Sequence, residues 1–179
     1  MGNCKYTNNF INRYYFKIFY VFLQSKSNAM KGRFIYDYPR PMLTADCVVV
    51  NNRNDILLVR RGNDPFKGCC ALPGGFMEMD ETIEHCAVRE LEEETGLTAS
   101  EQEIRLIGIY SNPNRDPRGR TVTAAYAFLL PESTLHGGQG DARAGDDAAE
   151  VRWWPLNALP PLAFDHANIV SDFENKISF

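Results

Sequence analysis

The chain has 179 residues, of which 44% are hydrophobic and 23% are charged, and its net charge at pH 7 is −4. This length and composition suit one globular domain with a full core and a short appendage. General nucleic-acid binding depends on basic contacts to phosphate, so a mildly acidic chain is a poor candidate for it, and we expect no nucleic-acid partner.

The cysteines indicate a reducing environment. They are odd in number and show no C-x-x-C spacing, standing at positions 4, 47, 69, 70 and 86. A disulfide framework or a zinc site is therefore not expected, and we predict free thiols and a cytoplasmic location.

Residues 1–30 differ in composition from the rest of the chain. Phe10 to Leu23 is strongly aromatic, but two basic residues interrupt it, and it is shorter than the ~20 residues that a spanning helix needs. We therefore predict no membrane span. We interpret residues 1–30 as an N-terminal extension, with a membrane-surface helix as the alternative, and residues 31–179 as the domain. Whether the extension belongs to the native protein is left open.

Beyond residue 42, apolar β-branched runs alternate with turn residues. The strands predicted from them are Leu43–Val50, Ile56–Val59, Ile104–Ser111, Thr121–Leu130 and Val151–Trp154. Asparagine and aspartate separate the first two runs, which predicts a hairpin. Apolar residues at helical spacing predict a terminal helix over Asp165–Lys176. Strands and helices mix without strict alternation, which favours an α/β fold with a mixed sheet between helices.

The segment from Gly75 to Leu97 carries many acids at helical spacing. We predict a helix that Asp80 caps at its start and Gly96 ends. Residues three and four apart share a helix face, so three glutamates project together, opposite the apolar stripe: Glu90, Glu93 and Glu94. Like charges so close repel each other unless a cation compensates, and Mg²⁺ prefers carboxylate oxygens. A solvated acidic face is the alternative interpretation.

The residues around these acids favour the cation site. Arg89 follows Glu81 by eight residues, about two helical turns, so the two side chains can form an ion pair. Gly74 and Gly75 allow the backbone to approach a ligand or a metal closely.

The same segment matches, position for position, the Nudix box G-x5-E-x7-R-E-U-x-E-E-x-G-U, where U is a bulky aliphatic residue. The matching residues are Gly75, Glu81, Arg89, Glu90, Leu91, Glu93, Glu94, Gly96 and Leu97. The chain therefore resembles the Nudix hydrolases, and the likeness extends from about Tyr38 to Ile169. The resemblance implies an α/β/α sandwich with a mixed sheet, and hydrolysis of a nucleoside diphosphate linked to another group X.

The resemblance also implies roles for individual residues. Ligands for Mg²⁺ or Mn²⁺, with two or more ions, would be Glu90 and Glu94, with Glu93 as an additional ligand and the Gly74 carbonyl as a further one. Glu81 and Arg89 would hold the loop and the helix together. The general base would be Glu90 or a residue of a later loop, where the candidates are Asp146, Asp147 and Glu150. The sequence does not choose between them.

Features outside the box resemble ADP-ribose pyrophosphatases. These are the box entry LPGGFME, Pro113 beyond the box, and the run SNPNRDPRGRTVTAAY. Arginine forms forked hydrogen bonds to phosphate and ribose oxygens. The candidate substrate-binding residues are therefore Pro113, Arg61, Arg115, Arg118 and Arg120, with solvated loop residues as the alternative.

Aromatic residues give a second set of candidates. Phe66, Tyr110 or Trp153 could stack an adenine, with core packing as the alternative. Cys70 is a departure from the pattern, since similar proteins often carry a tryptophan there, and it puts aromatic packing beside the site in question.

We expect a metal-dependent Nudix pyrophosphohydrolase that converts ADP-ribose to AMP and ribose 5-phosphate. A nucleotide-sanitising pyrophosphatase acting on modified nucleoside triphosphates is the alternative. A non-catalytic ADP-ribose-sensing module is weaker, because the box is complete and the sequence stops at Phe179 without a DNA-binding domain. The expected partner is a small-molecule nucleotide. Relatives are often homodimers, and the oligomeric state is left open.

Overall fold

Strands and helices follow the predicted order in the part of the chain that the structure, a computed structural model, describes: residues 36–130 and 148–176. The elements are β1 (Met42–Val50), β2 (Asp55–Arg61), β3 (Cys70–Ala71), β4 (Gly74–Phe76), α1 (Ile83–Thr95), β5 (Ile104–Tyr110), β6 (Thr121–Leu129), β7 (Ala148–Pro155), a 3-10 turn (Leu156–Ala158) and α2 (His166–Lys176). The described residues from Arg40 onward belong to one compact unit. The boundary predicted at residue 30, and both interpretations of residues 1–30, lie outside the described residues.

The strands form one mixed, seven-stranded sheet. β1 runs parallel to β6 over the register Met42↔Thr121 to Val50↔Leu129, and β2 pairs antiparallel with β7. The predicted hairpin is present, but β1 and β2 pair at a single position, Val50↔Ile56. The short strands β3 and β4, which the sequence analysis did not predict, add to β2 and β1.

Alternate residues of β1 pack against different helices. Cys47 and Val49 belong to the cluster that includes Leu91 of α1, whereas Val48 and Val50 belong to the cluster that includes Phe173 of α2. Both faces of the strand are buried, which explains its continuous apolar run. Burying each such aliphatic side chain contributes about 1.5–3 kcal/mol. The predicted α/β/α sandwich with a mixed sheet is confirmed.

Helix α1 begins later than predicted. The N-cap is Thr82, whose hydroxyl accepts a hydrogen bond from the His85 N–H at 3.1 Å, so the prediction of Asp80 as N-cap is wrong. Glu81 accepts from the Glu78 N–H at 2.8 Å and thereby closes a separate turn ahead of the helix. The predicted C-terminal glycine is confirmed, because Gly96 has φ 71° and its N–H donates to Glu92 O.

The fold bears on two predictions, namely no membrane span and free thiols. In residues 36–130 and 148–176, neither helix is long and apolar enough to cross a membrane. The four cysteines in those ranges are free thiols. Burial strongly raises the pKa of the Cys47 thiol, so this group stays protonated.

Candidate active site

Gly74 and Gly75 lie where β4 passes between β1 and the acidic face of α1. At Gly74, φ is 155° and an added Cβ would lie 2.8 Å from the Cα and Oδ1 of Asp46. An added Cβ at Gly75 would overlap the carboxylate of Glu90. Both positions therefore require glycine, and the backbone comes within contact distance of the glutamates of α1.

Glu90 and Glu94 turn their carboxylates into the space beside these glycines. Glu94 Oε2 accepts a hydrogen bond from the Gly74 N–H at 3.0 Å. Burial, helped by the nearby charges of Glu90 and Asp46, raises the pKa of Glu94 to about 7 despite that bond. Burial also raises the pKa of Glu90, although Arg89 acts in the opposite direction.

Arg89 connects the loop before α1 with the acids on the helix. Its Nε and Nη2 donate to the two oxygens of Glu81 at 3.0 and 2.8 Å, so the predicted ion pair is present. Its Nη1 donates to Glu90 at 2.7 Å and to Glu93 at 3.1 Å. The hydrogen bonds from Arg89 are the main reason that the pKa of Glu81 falls to about 2. The guanidinium thus fixes the direction of the Glu90 side chain.

A cleft of about 350 Å³ opens above these residues. Gly74, Glu90 and Glu94 line it, whereas the side chain of Glu93 is 60% exposed and does not contribute to the lining. Two half-buried carboxylates that line one cleft cost free energy unless a cation compensates them. The donor set therefore fits a hard divalent cation such as Mg²⁺ or Mn²⁺.

The protein groups alone do not complete a coordination sphere. Within the described ranges, no three Asp, Glu, His or Cys side chains are grouped closely enough to hold an ion by themselves. Mg²⁺ commonly keeps several waters and takes one or two carboxylates together with substrate phosphate oxygens. The arrangement of Glu90 and Glu94 suits that kind of site.

Two arginines that lie among aromatic rings, Arg61 and Arg118, also line the cleft. The guanidinium of Arg61 lies 4.8 Å from the centroid of Phe164. That of Arg118 lies 5.1 Å from Phe76 and 5.4 Å from Phe164, and it also donates to the Asp116 carboxylate at 2.7 Å. The cleft thus holds two cations as well as the carboxylates of Glu90 and Glu94, a combination that suits a metal-bound pyrophosphate.

The other predicted substrate-binding residues lie in different surroundings. Arg115 lines the cleft but is buried, and it donates to both oxygens of Asp165 at 3.0 and 2.7 Å. Arg120 donates to the Ser111 carbonyl at 2.8 Å. Neither Arg120 nor the exposed Pro113 is among the residues that line the cleft.

The three aromatic residues that could stack an adenine also lie in different surroundings. Phe66 is 41% exposed and packs edge-on against Phe164, with ring centroids 4.8 Å apart. Tyr110 donates its hydroxyl to Asp172 and so joins β5 to α2. Trp153 packs against the core cluster beneath α1. Of the three, Phe66 lies against an aromatic residue of the cleft.

Of the three candidates for a base in the later loop, Glu150 lies within the described ranges. Asp146 and Asp147 lie outside them. Glu150 forms a half-exposed ion pair with Arg60 at 3.7 Å and does not line the cleft. Cys70, the departure from the tryptophan of similar proteins, packs against the cluster beneath α2.

The sequence analysis missed several residues that line the cleft: Thr44, Asp46, Asp116, Phe164 and His166. Asp46 stands inside the apolar run LTADCVVV, and a charged residue within a strand buried on both faces was a usable signal. His166, at the start of α2, gave no such signal. Its position depends on the packing of α2 on β5 and β1 and on the pairing of the segment ahead of α2 with β3.

Comparisons with known proteins agree with this geometry. Residues 40–173 match the NUDIX domain. The ADP-ribose pyrophosphatase of Methanocaldococcus jannaschii is 46% identical over 136 residues, which cover 76% of this chain and 75% of that protein.

Two solved structures are similar in fold. The NUDIX domain of Shewanella oneidensis NrtR, complexed with ADP ribose, aligns with a TM-score of 0.70 and 28% identity, covering 87% of this chain and 99% of that one. A bifunctional NMN adenylyltransferase/ADP ribose pyrophosphatase from Francisella tularensis, complexed with AMP and a manganese ion, aligns with a TM-score of 0.66 and 28% identity, covering 88% and 46%. The chain belongs to the Nudix family and is a Nudix pyrophosphohydrolase that acts on nucleoside diphosphates linked to another group.

Proposed function

We propose that this chain hydrolyses ADP-ribose to AMP and ribose 5-phosphate and depends on Mg²⁺ or Mn²⁺. The observation that carries the proposal is the cleft itself, which is lined both by Glu90 and Glu94 and by Arg61 and Arg118. A pyrophosphate needs compensating cations, and the arginines supply two directly while the glutamates would hold the metal ions.

Each residue contributes through binding or orientation. Glu90, Glu94 and the Gly74 backbone would hold the metal, while Arg89 and Glu81 keep the Glu90 carboxylate in place. When bound, the metal lowers the pKa of the attacking water and neutralises charge on the phosphoryl oxygens. Arg61 and Arg118 orient the pyrophosphate, and a carboxylate takes the proton from water. Glu90 and Asp147 are both candidates for that base, and Glu93 contributes as a peripheral ligand.

The choice of ADP-ribose is supported by the relatives. The protein from M. jannaschii is named an ADP-ribose pyrophosphatase, and the S. oneidensis NUDIX domain binds ADP ribose. The aromatic rings of Phe164 and Phe76 beside the arginines offer surfaces for a base or a ribose. The proposal has further parts. We propose ADP-ribose as the substrate, two or more metal ions and a homodimeric state. We also propose that residues 31–179 form the domain, that the protein is cytoplasmic and that it has no nucleic-acid partner.

The test is a substrate panel with the full chain and either Mg²⁺ or Mn²⁺. ADP-ribose, NADH, diadenosine polyphosphates and modified nucleoside triphosphates would be compared by kcat/KM. We expect ADP-ribose to give the highest value, with AMP and ribose 5-phosphate as products. Release of pyrophosphate from triphosphates at a higher kcat/KM would instead support the sanitising alternative. Binding of ADP-ribose without turnover would support the sensing module.

A further inference from the structure

Asp46 and His166 meet on the floor of the cleft, and neither belongs to the acidic segment that resembles the Nudix box. Asp46 comes from β1 and His166 from the first turn of α2. They are 7% and 4% exposed, respectively, and both line the cleft. Polar groups that are this deeply buried need a partner for each donor and acceptor, so their hydrogen bonds can be followed one by one.

The hydrogen-bond pattern of His166 determines which nitrogen carries the hydrogen. Nδ1 accepts a hydrogen bond from the Leu72 N–H at 2.9 Å, so this nitrogen has no hydrogen. Burial lowers the pKa of the imidazole, in agreement with a neutral ring. The hydrogen therefore stands on Nε2, which acts as a donor.

Asp46 presents the complementary acceptor. Its Oδ2 accepts from the Thr123 hydroxyl at 2.7 Å and lies 3.7 Å from Arg115. Its Oδ1 lies 3.7 Å from His166 Nε2, which is too long for a direct hydrogen bond. Across residues 36–130 and 148–176, the structure shows no hydrogen bond from Nε2. The cleft floor thus holds a fixed donor and a fixed acceptor side by side.

We propose that Asp46 and His166 together bind one ribose hydroxyl of the substrate. His166 Nε2–H donates to the hydroxyl oxygen, and the hydroxyl hydrogen is donated to Asp46 Oδ1. One oxygen at ordinary hydrogen-bond distance from both atoms fits between groups 3.7 Å apart. A phosphate oxygen fits less well, because it has no hydrogen to donate and the carboxylate repels it. The inference rests on the proposed function, since ADP-ribose supplies the ribose.

Two substitutions separate this role from a purely structural one. In His166→Asn the side-chain oxygen can replace Nδ1 and keep the Leu72 bond, while the Nε2–H donor is removed. In Asp46→Asn the amide can still accept from Thr123 but turns a donor toward His166. We expect His166→Asn to keep its Tm, whereas Asp46→Asn also removes a charge near the buried Arg115 and is judged by its affinity alone; each variant should weaken ADP-ribose binding about tenfold. His85→Asn, at an exposed position on α1, is the matched control and should leave binding unchanged.

A thermodynamic cycle that combines His166→Asn with deoxy analogues of ADP-ribose identifies the hydroxyl that is bound. Dissociation constants would be measured by calorimetry in metal-free buffer for ADP-ribose and for analogues that each lack one ribose hydroxyl. The wild type should bind one analogue about tenfold more weakly than ADP-ribose, and His166→Asn should show no further loss on that analogue. Additive losses on every analogue, or wild-type affinity in His166→Asn, would overturn the proposal.

The binding cycle also separates this inference from the proposed function. Because it is measured without turnover, it can succeed even if the substrate panel shows that ADP-ribose is bound and not hydrolysed. If another ribose-containing nucleotide proves to be the substrate, the binding cycle would use the deoxy forms of that nucleotide instead. A wild-type chain that binds no ribose-containing nucleotide in this buffer and hydrolyses none with Mg²⁺ or Mn²⁺ overturns both.

Discussion

Arg89 and Glu81 are joined by two nearly parallel hydrogen bonds, from Nε to Oε2 at 3.0 Å and from Nη2 to Oε1 at 2.8 Å. The same guanidinium donates to Glu90 at 2.7 Å. The side chains of Arg89 and Glu81 are 19% and 6% exposed, so solvent screens the pair weakly. The loop ahead of α1 is therefore held to a carboxylate of the active site through one arginine.

Replacing Glu81 by Gln should loosen this connection. One charge-assisted hydrogen bond is lost and Arg89 keeps only Glu90 and Glu93 as carboxylate partners, so we expect a loss of about 1.5–3 kcal/mol in the free energy of unfolding. Turnover should fall as well, because Glu90 loses its fixed direction. Urea unfolding and kcat/KM measure the two effects. Glu92→Gln, at an exposed position of the same helix, is the control and should stay within about 0.5 kcal/mol.

The same pair predicts a pH dependence of stability. The pKa of Glu81 is lowered from 4.5 to about 2 in the folded chain, mainly by the hydrogen bonds from Arg89. The folded state therefore binds this proton less readily than the unfolded state. The stabilising contribution is fully present above pH 4.5 and is lost as the pH falls toward 2.

Urea unfolding in EDTA between pH 2 and 6 would measure this contribution. The difference in unfolding free energy between the wild type and Glu81→Gln should be largest near pH 6 and should shrink toward pH 2. A difference that stays constant across this range would contradict the assignment of the shift to Glu81.

The sequence predicted the sheet, both helices and the Arg89–Glu81 pair because each depends on local periodicity. Two buried faces of β1 require a continuous apolar run, and a helix requires residues three and four apart to share a face. The same periodicity placed Glu90 and Glu94 together. The N-cap is Thr82 and not the predicted Asp80, because Glu81 closes a separate turn ahead of the helix.

The far wall of the site could not be predicted in this way. Arg115 looks like a surface cation in the sequence, yet Asp165, fifty residues later, buries it. His166 and Phe164 enter the cleft because α2 packs on β5 and β1 and brings the chain ahead of it over β3, which are contacts between distant segments. No short-range pattern encodes such contacts. The metal-binding side of the cleft is thus local in sequence, and the substrate-binding side is not.

Glu94 and Glu93 are adjacent in sequence but should differ in function. Glu94→Gln can keep the bond from the Gly74 N–H through its amide oxygen, so the fold should survive while activity falls by about a hundredfold or more. Burial raises the pKa of Glu94 to about 7, so removing its charge should leave the metal-free Tm unchanged or higher near pH 8. Glu93→Gln, with a side chain that is 60% exposed, should lose much less activity. Equal losses in the two variants would contradict the arrangement. Steady-state kinetics and Mn²⁺ titration would measure the difference.

Gly75 should tolerate no side chain. In Gly75→Ala the new Cβ would overlap the carboxylate of Glu90 and displace it from the cleft. We expect Mn²⁺ affinity and kcat to fall at least about tenfold, as changes beside a metal site commonly do. Gly108→Ala is the matched control, because its Cβ would meet its nearest neighbour, Lys176 Nζ, at an ordinary 3.6 Å. Full activity in Gly75→Ala would show that Glu90 is not constrained as described.

Arg115 and Arg120 lie on one loop. Replacing each by Met should distinguish a structural role from a substrate-binding role. Arg115→Met leaves the half-buried Asp165 and the buried Asp46 without their cation, and removing one partner of a buried pair costs about 3–5 kcal/mol. Arg120→Met loses a hydrogen bond to the Ser111 carbonyl on the surface and should cost about 1 kcal/mol or less. Thermal unfolding and KM for ADP-ribose would be measured for both variants. A raised KM in Arg115→Met with an unchanged Tm would instead support the direct substrate contact predicted from the sequence, because a residue that only binds ligand does not stabilise the free protein.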